Sequence, residues 1–289
     1  MTTWRWLDTG ALPASLNMAI DEALLRLHVR GESPPTLRLY QWDPPAVSLG
    51  ALQRQPGFDV GACRRLGLDL VRRPTGGRAV LHQNDLTYSV VAGTREGVPV
   101  TLADAYRLLC RGLLEGFQLL GIEAELGQEK VRADQPDVCF LRSLIGDVAY
   151  HGKKFVGSAQ TWSGSSLLQH GSILLEPQAE TWVELLGTDA EVRQKHRVDL
   201  KRRMTSLSEI LGIVPPISTV KAALAQGMAQ ALGVVFIEGE LTPLEWALAQ
   251  RAAERLQEMG PEVRHITRGI HQGQAKFQAR SPSEEPGSL

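Results

Sequence analysis

The chain has 289 residues, 43% of them hydrophobic and 22% charged, with a formal net charge of -1 at pH 7. Such a balance describes a globular protein with apolar material for one large core or two modest ones, and it excludes the strongly basic surface of a general nucleic-acid binder. No run reaches the roughly 18 apolar residues of a membrane span, and the opening MTTWRWLDTGALPASL has neither a basic leader nor a long apolar stretch, so no membrane partner and a cytoplasmic location are expected.

In chain order, SLNMAIDEALLRLHVRG places Leu16, Ile20, Leu24 and Leu27 on one helical face behind Ser15 as the expected N-cap. TLRLYQW, AVSLGA, LDLVRR, RAVLH and LTYSVVAG then read as short strands punctuated by Pro and Gly. The strongest helix is TLADAYRLLCRGLLEGFQLLG, with Leu102, Tyr106, Leu109, Leu113, Phe117 and Leu120 on one face and Gly121 as the stop. DVAYH and KFVGSAQTW form two strands around a turn at His151 to Lys153, and SLLQHGSILL adds another strand. Beyond Pro177 the pattern turns helical, interrupted by VVFIEG, and the polar QARSPSEEPGSL reads as a disordered tail. Strands followed by helices, without strict alternation, give an α+β fold.

The three cysteines Cys63, Cys110 and Cys139 cannot all pair and form no disulfide framework. Cys63 and Cys110 fit apolar packing positions, because free cysteine behaves as a small hydrophobe. Cys139, in a turn-like segment fifteen residues ahead of Lys154, is open to two readings: another packing residue, or a nucleophile. RRPTGGRAVLH is open as well. It can be a Gly-Gly hairpin turn with solvated arginines, or a turn whose N–H groups face an anion or a carbonyl oxygen. Small residues Gly157, Ser158 and Ala159 beside Lys154 leave room for an extended chain. His82, His151, His170, His265 and His271 share no metal-ligand spacing with cysteines or carboxylates, so no metal site is expected.

Taken together and in order, RRPTGGRAVLHQNDLTYSVV, GKKFVGSAQTW and LLQHGSILL closely resemble the lipoate-protein ligase and octanoyltransferase family, which shares its catalytic fold with biotin protein ligases. The resemblance implies a mixed, largely antiparallel sheet flanked by helices, with a smaller helical C-terminal part. The match covers residues 10–245, the expected catalytic domain; pattern and composition give 246–275 as a C-terminal helix and extension and 276–289 as the tail. A cysteine fifteen residues before the Gly-Lys-Lys lysine resembles the octanoyltransferase branch, and Arg78 stands where ligases tend to have a third glycine.

What that branch implies is transfer of octanoyl from acyl carrier protein, through a thioester on Cys139, to a lysine of a lipoyl-domain protein such as glycine cleavage H protein or a 2-oxoacid dehydrogenase E2 subunit. No cofactor is expected, because the acyl group arrives on the carrier's phosphopantetheine. Lys154 would lower the Cys139 pKa, since a cation within about 4 Å favours the thiolate by several kcal/mol before desolvation is subtracted. Arg72, Arg73, Thr75, Gly76, Gly77, Arg78, His82, Gly157, Ser158, Ala159 and His170 would form the substrate site. The oxyanion of the transfer would meet N–H groups of either the Thr75 to Arg78 turn or the strand near Gly157. Rival implications are an ATP-dependent lipoate ligase in which Lys154 holds the adenylate, an amidotransferase working between lipoyl domains, and a non-catalytic relative that only binds them.

Overall fold

A computed structural model describes residues 2–127, 147–187 and 189–259. Eight strands form one sheet: β1 (Thr2–Leu12), β2 (Thr36–Trp42), β6 (Asp85–Gly93), β7 (Glu125–Leu126), β8 (Val148–Tyr150), β9 (Lys153–Ser163), β10 (Ser166–Leu174) and β11 (Val234–Glu238). Their order is β11-β1-β2-β6-β10-β9-β8-β7, with β1 parallel to both of its neighbours and antiparallel pairing from β2 onward. A second sheet, β4-β3-β5, holds β3 (Ala46–Leu49) between β4 (Asp69–Arg72) and β5 (Val80–His82). The expected α+β fold is the one observed.

The helices are α1 (Ala14–Arg30), α2 (Val60–Arg65), α3 (Leu102–Leu119), α4 (Ala179–Leu186), α5 (Ala190–Arg203), α6 (Leu207–Leu211), α7 (Ile217–Leu232) and α8 (Pro243–Met259). Residues alternate along each strand, so each strand supplies two faces. Leu37 and Leu39 of β2, with Leu86, Tyr88 and Val90 of β6, face Leu109, Leu113 and Phe117 of α3 and Leu224 and Met228 of α7. There α3 and α7 nearly touch. A Cβ on Gly227 would lie 2.1 Å from the backbone nitrogen of Gly116, so glycine is what permits the contact. Leu7, Val91 and Leu168 turn to the opposite face and pack with α1 and α8.

Several local expectations change. Pro13, not Ser15, occupies the N-cap of α1, without a side-chain cap, and the Ser15 hydroxyl accepts a hydrogen bond from Gln257 Nε2 at 3.0 Å. Leu102 lies at the exposed start of α3, whose buried stripe begins at Ala105. The Pro-Thr-Gly-Gly segment is not a hairpin: β4 and β5 never pair with each other but flank β3, so the turn crosses over the end of β3. Gly50 makes that crossing possible, since a Cβ there would sit 2.1 Å from the Gly77 carbonyl oxygen. The two-residue turn between β8 and β9 does form, with His151 (φ 48°) and Gly152 (φ 74°) both left-handed.

The helix-rich C-terminal part is built onto the same sheet through β11 and α7. The boundary expected at residue 10 falls inside β1, and that at 245 inside α8. The extension past 259 and the tail at 276–289 lie outside the described residues.

Candidate active site

Pleating decides which side chains meet. On β2 the residues between the core leucines are Arg38, Tyr40 and Trp42; on β6 they are Thr87 and Ser89; on β10 they are His170 and Ser172. Register places His170 opposite Ser89 on one side and Ala159 on the other. Tyr40, Trp42, Thr87, His170 and Ser172 of this row, with Met18 from α1 and residues of the second sheet, line a cavity of about 190 Å³. Of the expected site residues, Arg73, Gly77, Arg78, His82, Gly157, Ser158, Ala159 and His170 line it. Gly171 contributes backbone to the cavity, and a side chain there has no room on the other face of the sheet, where a Cβ would meet Tyr88 Cε1 at 2.6 Å and Ser158 Oγ at 2.7 Å.

Two histidines border the cavity, each held by a carboxylate. His170 Nδ1 lies 2.9 Å from Asp21 Oδ2, and its Nε2 lies 2.6 Å from Thr75 Oγ1. Asp21 also accepts from Tyr40 OH (2.9 Å), Ser89 Oγ (2.8 Å) and Arg38 Nη1 (2.8 Å), so all its lone pairs are used although it is fully buried. Burial opposes the Asp21 charge, but the Arg38 guanidinium and the hydrogen bonds from His170 and Ser89 prevail and hold its pKa below the usual carboxylate value. Burial lowers the His170 pKa, prevailing over the hydrogen bond and attraction of Asp21 and helped by Arg73 and His82. A neutral ring beside an ionised carboxylate has one tautomer: Nδ1–H donates to Asp21, and Nε2 accepts from the Thr75 hydroxyl.

His82 Nδ1 lies 2.9 Å from Asp85 Oδ2, which also accepts from Ser172 Oγ at 2.6 Å and Thr87 Oγ1 at 3.1 Å. His82 Nε2 meets Ser48 Oγ at 2.9 Å, and the ring stacks on Trp42 with centroids 3.9 Å apart.

Three expected substrate contacts have other work. Arg72 Nη1 donates to the carbonyls of Gly50 (2.6 Å) and Gln53 (2.8 Å), which pins the loop after β3. Arg73, only 5% exposed, donates to the carbonyls of Ser48 (3.0 Å), Gly76 (2.7 Å) and Arg78 (2.8 Å) and so braces the turn from within. Thr75 is completely buried behind the cavity wall, its hydroxyl on His170. Gly76 also stands outside the wall, while Gly77 reaches it with a φ of 95°.

Lys154 does not line the cavity. Its Nζ lies 2.7 Å from Asp147 Oδ2, and both side chains are 1% exposed. Thr205 N donates to the Lys154 carbonyl at 3.0 Å, tying the end of α5 to the start of β9. Cys139 lies outside the described residues. The other two thiols are buried, and burial pushes Cys63 up to about 11 and Cys110 up to about 12, as expected of packed side chains.

Sequence reasoning missed Asp21, Arg38, Asp85 and Asp147. A signal existed for two of them. Asn17, Asp21 and His28 recur at helical spacing beside the apolar stripe of α1, and Asp85 follows His82 by three residues. Arg38 and Asp147 carried none, because a charge inside a strand-like stretch reads as the solvent side.

The lipoyl protein ligase A/B catalytic domain family matches residues 13–229. The octanoyltransferase LipM of Kyrpidia tusciae is 42% identical over 260 residues, covering 87% of this chain and 95% of that protein. That of Symbiobacterium thermophilum is 42% identical over 263 residues, with 88% and 95% covered. The fold resembles the bipartite lipoate protein ligase of Thermoplasma acidophilum (TM-score 0.77, 22% identity, 92% of this chain and 100% of that one). It also resembles a lipoate-protein ligase A solved with ATP (TM-score 0.71, 24% identity, 88% and 95%). The chain belongs to the lipoyl protein ligase A/B catalytic domain family and, standing within it beside the LipM proteins, is an octanoyltransferase.

Proposed function

We propose that this enzyme takes octanoyl from the phosphopantetheine thioester of acyl carrier protein, holds it on Cys139, and delivers it to a lysine of a lipoyl-domain protein in the cytoplasm. Glycine cleavage H protein and 2-oxoacid dehydrogenase E2 subunits are the acceptors this reading names. The observation that carries it is the cavity. At about 190 Å³ it is smaller than the roughly 300–1,000 Å³ of a drug-sized site, and its Gly157, Ser158, Ala159 and Gly171 wall suits one unbranched chain. Polar groups gather along another wall, formed by Arg73, Arg78, His82 and His170.

The Cys139 thiolate attacks the donor carbonyl, and collapse of the intermediate breaks the carrier's C–S bond and releases its thiol. The acceptor amine then attacks the enzyme thioester; a C–N bond forms, the Cys139 C–S bond breaks, and the amine's proton is lost. Exchange between thioesters is nearly balanced and amide formation is downhill, so the reading requires neither ATP nor a cofactor. The N–H groups of Gly76 and Gly77 donate to no acceptor among the described residues. That supports the turn, rather than the strand near Gly157, as the oxyanion site.

Lys154 remains the residue assigned to stabilise the thiolate, now with Asp147 opposing it. Removing the ammonium with Lys154→Ala is expected to raise the Cys139 pKa. Neutralising its partner with Asp147→Asn is expected to lower it, read by the pH dependence of thiol alkylation. The deciding assay mixes octanoyl carrier protein and apo lipoyl domain without ATP. Wild type is expected to transfer and to show a hydroxylamine-sensitive octanoyl adduct by intact mass, and Cys139→Ala to do neither. Transfer that persists in the variant, or that requires ATP and free lipoate, defeats the proposal.

A further inference from the structure

The turn over the cavity is held through its acceptors. Thr75 carbonyl accepts from Ala51 N at 2.8 Å, and the Gly76 and Arg78 carbonyls accept from Arg73. A further anchor is the Thr75 hydroxyl, and it leads away from the cavity: Thr75 to His170 Nε2, His170 Nδ1 to Asp21, Asp21 to Arg38. Arg38 is held in turn by Thr9 Oγ1 (3.0 Å), the Asn17 carbonyl (3.1 Å) and Asn17 Oδ1 (2.6 Å). Asp21 and Arg38 are fully buried and neither reaches the cavity wall, so they cannot touch an acyl group. A buried ion pair is at best weakly stabilising compared with apolar residues of the same volume, and stability alone gives no reason for one here.

We propose that Asp21, backed by Arg38, is a positioning residue for acyl transfer: by fixing the His170 tautomer it orients the Thr75 hydroxyl, and so holds the turn that presents the Gly77 N–H to the cavity where the oxyanion develops. The inference rests on the turn serving as the oxyanion site of the proposed transfer. Donors that stabilise a transition state count only while their geometry is fixed beforehand, and displacement by about 1 Å costs on the order of 100-fold in rate. Thr75 can donate only to a lone pair on Nε2. If Nε2 carries a proton, whether through the other tautomer or through protonation of the ring, the bond reverses: Nε2–H donates to Thr75 Oγ1, and the hydroxyl proton turns away from the ring.

The experiment compares steady-state transfer from octanoyl carrier protein to apo lipoyl domain by wild type, Thr75→Val, Thr75→Ser and Asp21→Asn across pH. Thr75→Val keeps the shape and removes the hydroxyl; kcat is expected to fall about 10- to 100-fold with KM for both proteins unchanged. Thr75→Ser restores the donor and is expected to recover most of the rate. The charged and titratable groups around the His170–Asp21 pair are Arg38 and Tyr40 of β2 on the Asp21 side, and Arg73, just after β4, and His82 of β5 on the ring side. Acid is therefore expected to add a downward limb to wild-type kcat, below the ordinary histidine range, that Thr75→Val lacks. Asp21→Asn is expected to lose kcat as Thr75→Val does; should it fail to fold, the Thr75 pair decides alone. Wild-type kcat in Thr75→Val, an equal loss in Thr75→Ser, or a loss confined to KM overturns the inference while leaving the transfer reaction intact. A wild type that transfers nothing overturns both.

Discussion

The two faces of the eight-stranded sheet solve burial in opposite ways. Under α3 and α7, the sheet is closed by leucine, phenylalanine and methionine, by a glycine contact between helices, and by an uncharged hydrogen-bonded group of Tyr88, Ser158 and Gln169. Under α1, a carboxylate, a guanidinium and an imidazole are buried together, each satisfied by named partners. The first arrangement gains free energy from every apolar group removed from water. The second loses solvation and regains it only through complete hydrogen bonding. What separates the two is the cavity, which opens on the α1 side alone. The costly chemistry is kept where a geometry has to be held, and packing is left to do the rest.

Mutations can break that contrast. Arg38→Met removes one member of a buried pair and is expected to cost about 4 kcal/mol in chemical denaturation, and to depress kcat further in whatever folds. Leu113→Ala, in the middle of the opposite face, is expected to cost about 3 kcal/mol while kcat per folded molecule stays at the wild-type value. Gly227→Ala drives a methyl group into the Gly116 backbone and is expected to cost about 2 kcal/mol, again without a change in kcat. Equal losses of kcat on both faces would erase the distinction.

The smallest effect is one of pH. The His170 pKa is lower folded than unfolded, so the unfolded chain binds the extra proton; stability is fully present above about pH 6.5 and declines as pH falls from there toward the folded value. Asp21, also lowered on folding, adds a second decline that begins near the unfolded carboxylate pKa of about 4. Melting temperature against pH is expected to flatten below about pH 6.5 in His170→Gln. The apolar variants should retain the wild-type slope.

Much of this was readable in the sequence. Helices α1, α3, α7 and α8 announced themselves by periodicity, and the His151-Gly152 turn by its neighbours. Eight of the residues named for the substrate site do line one cavity, because a strand carries alternate residues to the same face. The rest depended on distance along the chain. The Gly-Gly turn looked like a hairpin because nothing local says that β3, twenty residues earlier, will lie between β4 and β5. Arg72 and Arg73 looked like anion contacts because the carbonyls that claim them belong mostly to β3 and the loop behind it. Asp21 was hidden for the same reason: its partners come from β2, β6 and β10.

The pairing of β1 with β11 bears on how the molecule is made. Thr2 to Trp6 find their parallel partners at Val234 to Glu238, and Arg5 closes a 2.6 Å salt bridge with Glu245. A ribosome emits the first of these segments long before the last, so the outer edge of β1 must wait, unpaired, until more than 200 further residues have been translated and β11 emerges. Contacts of such sequence separation form late and slowly. Until β11 arrives, that edge is open to pairing with the wrong strand, the hazard against which chaperones protect nascent chains.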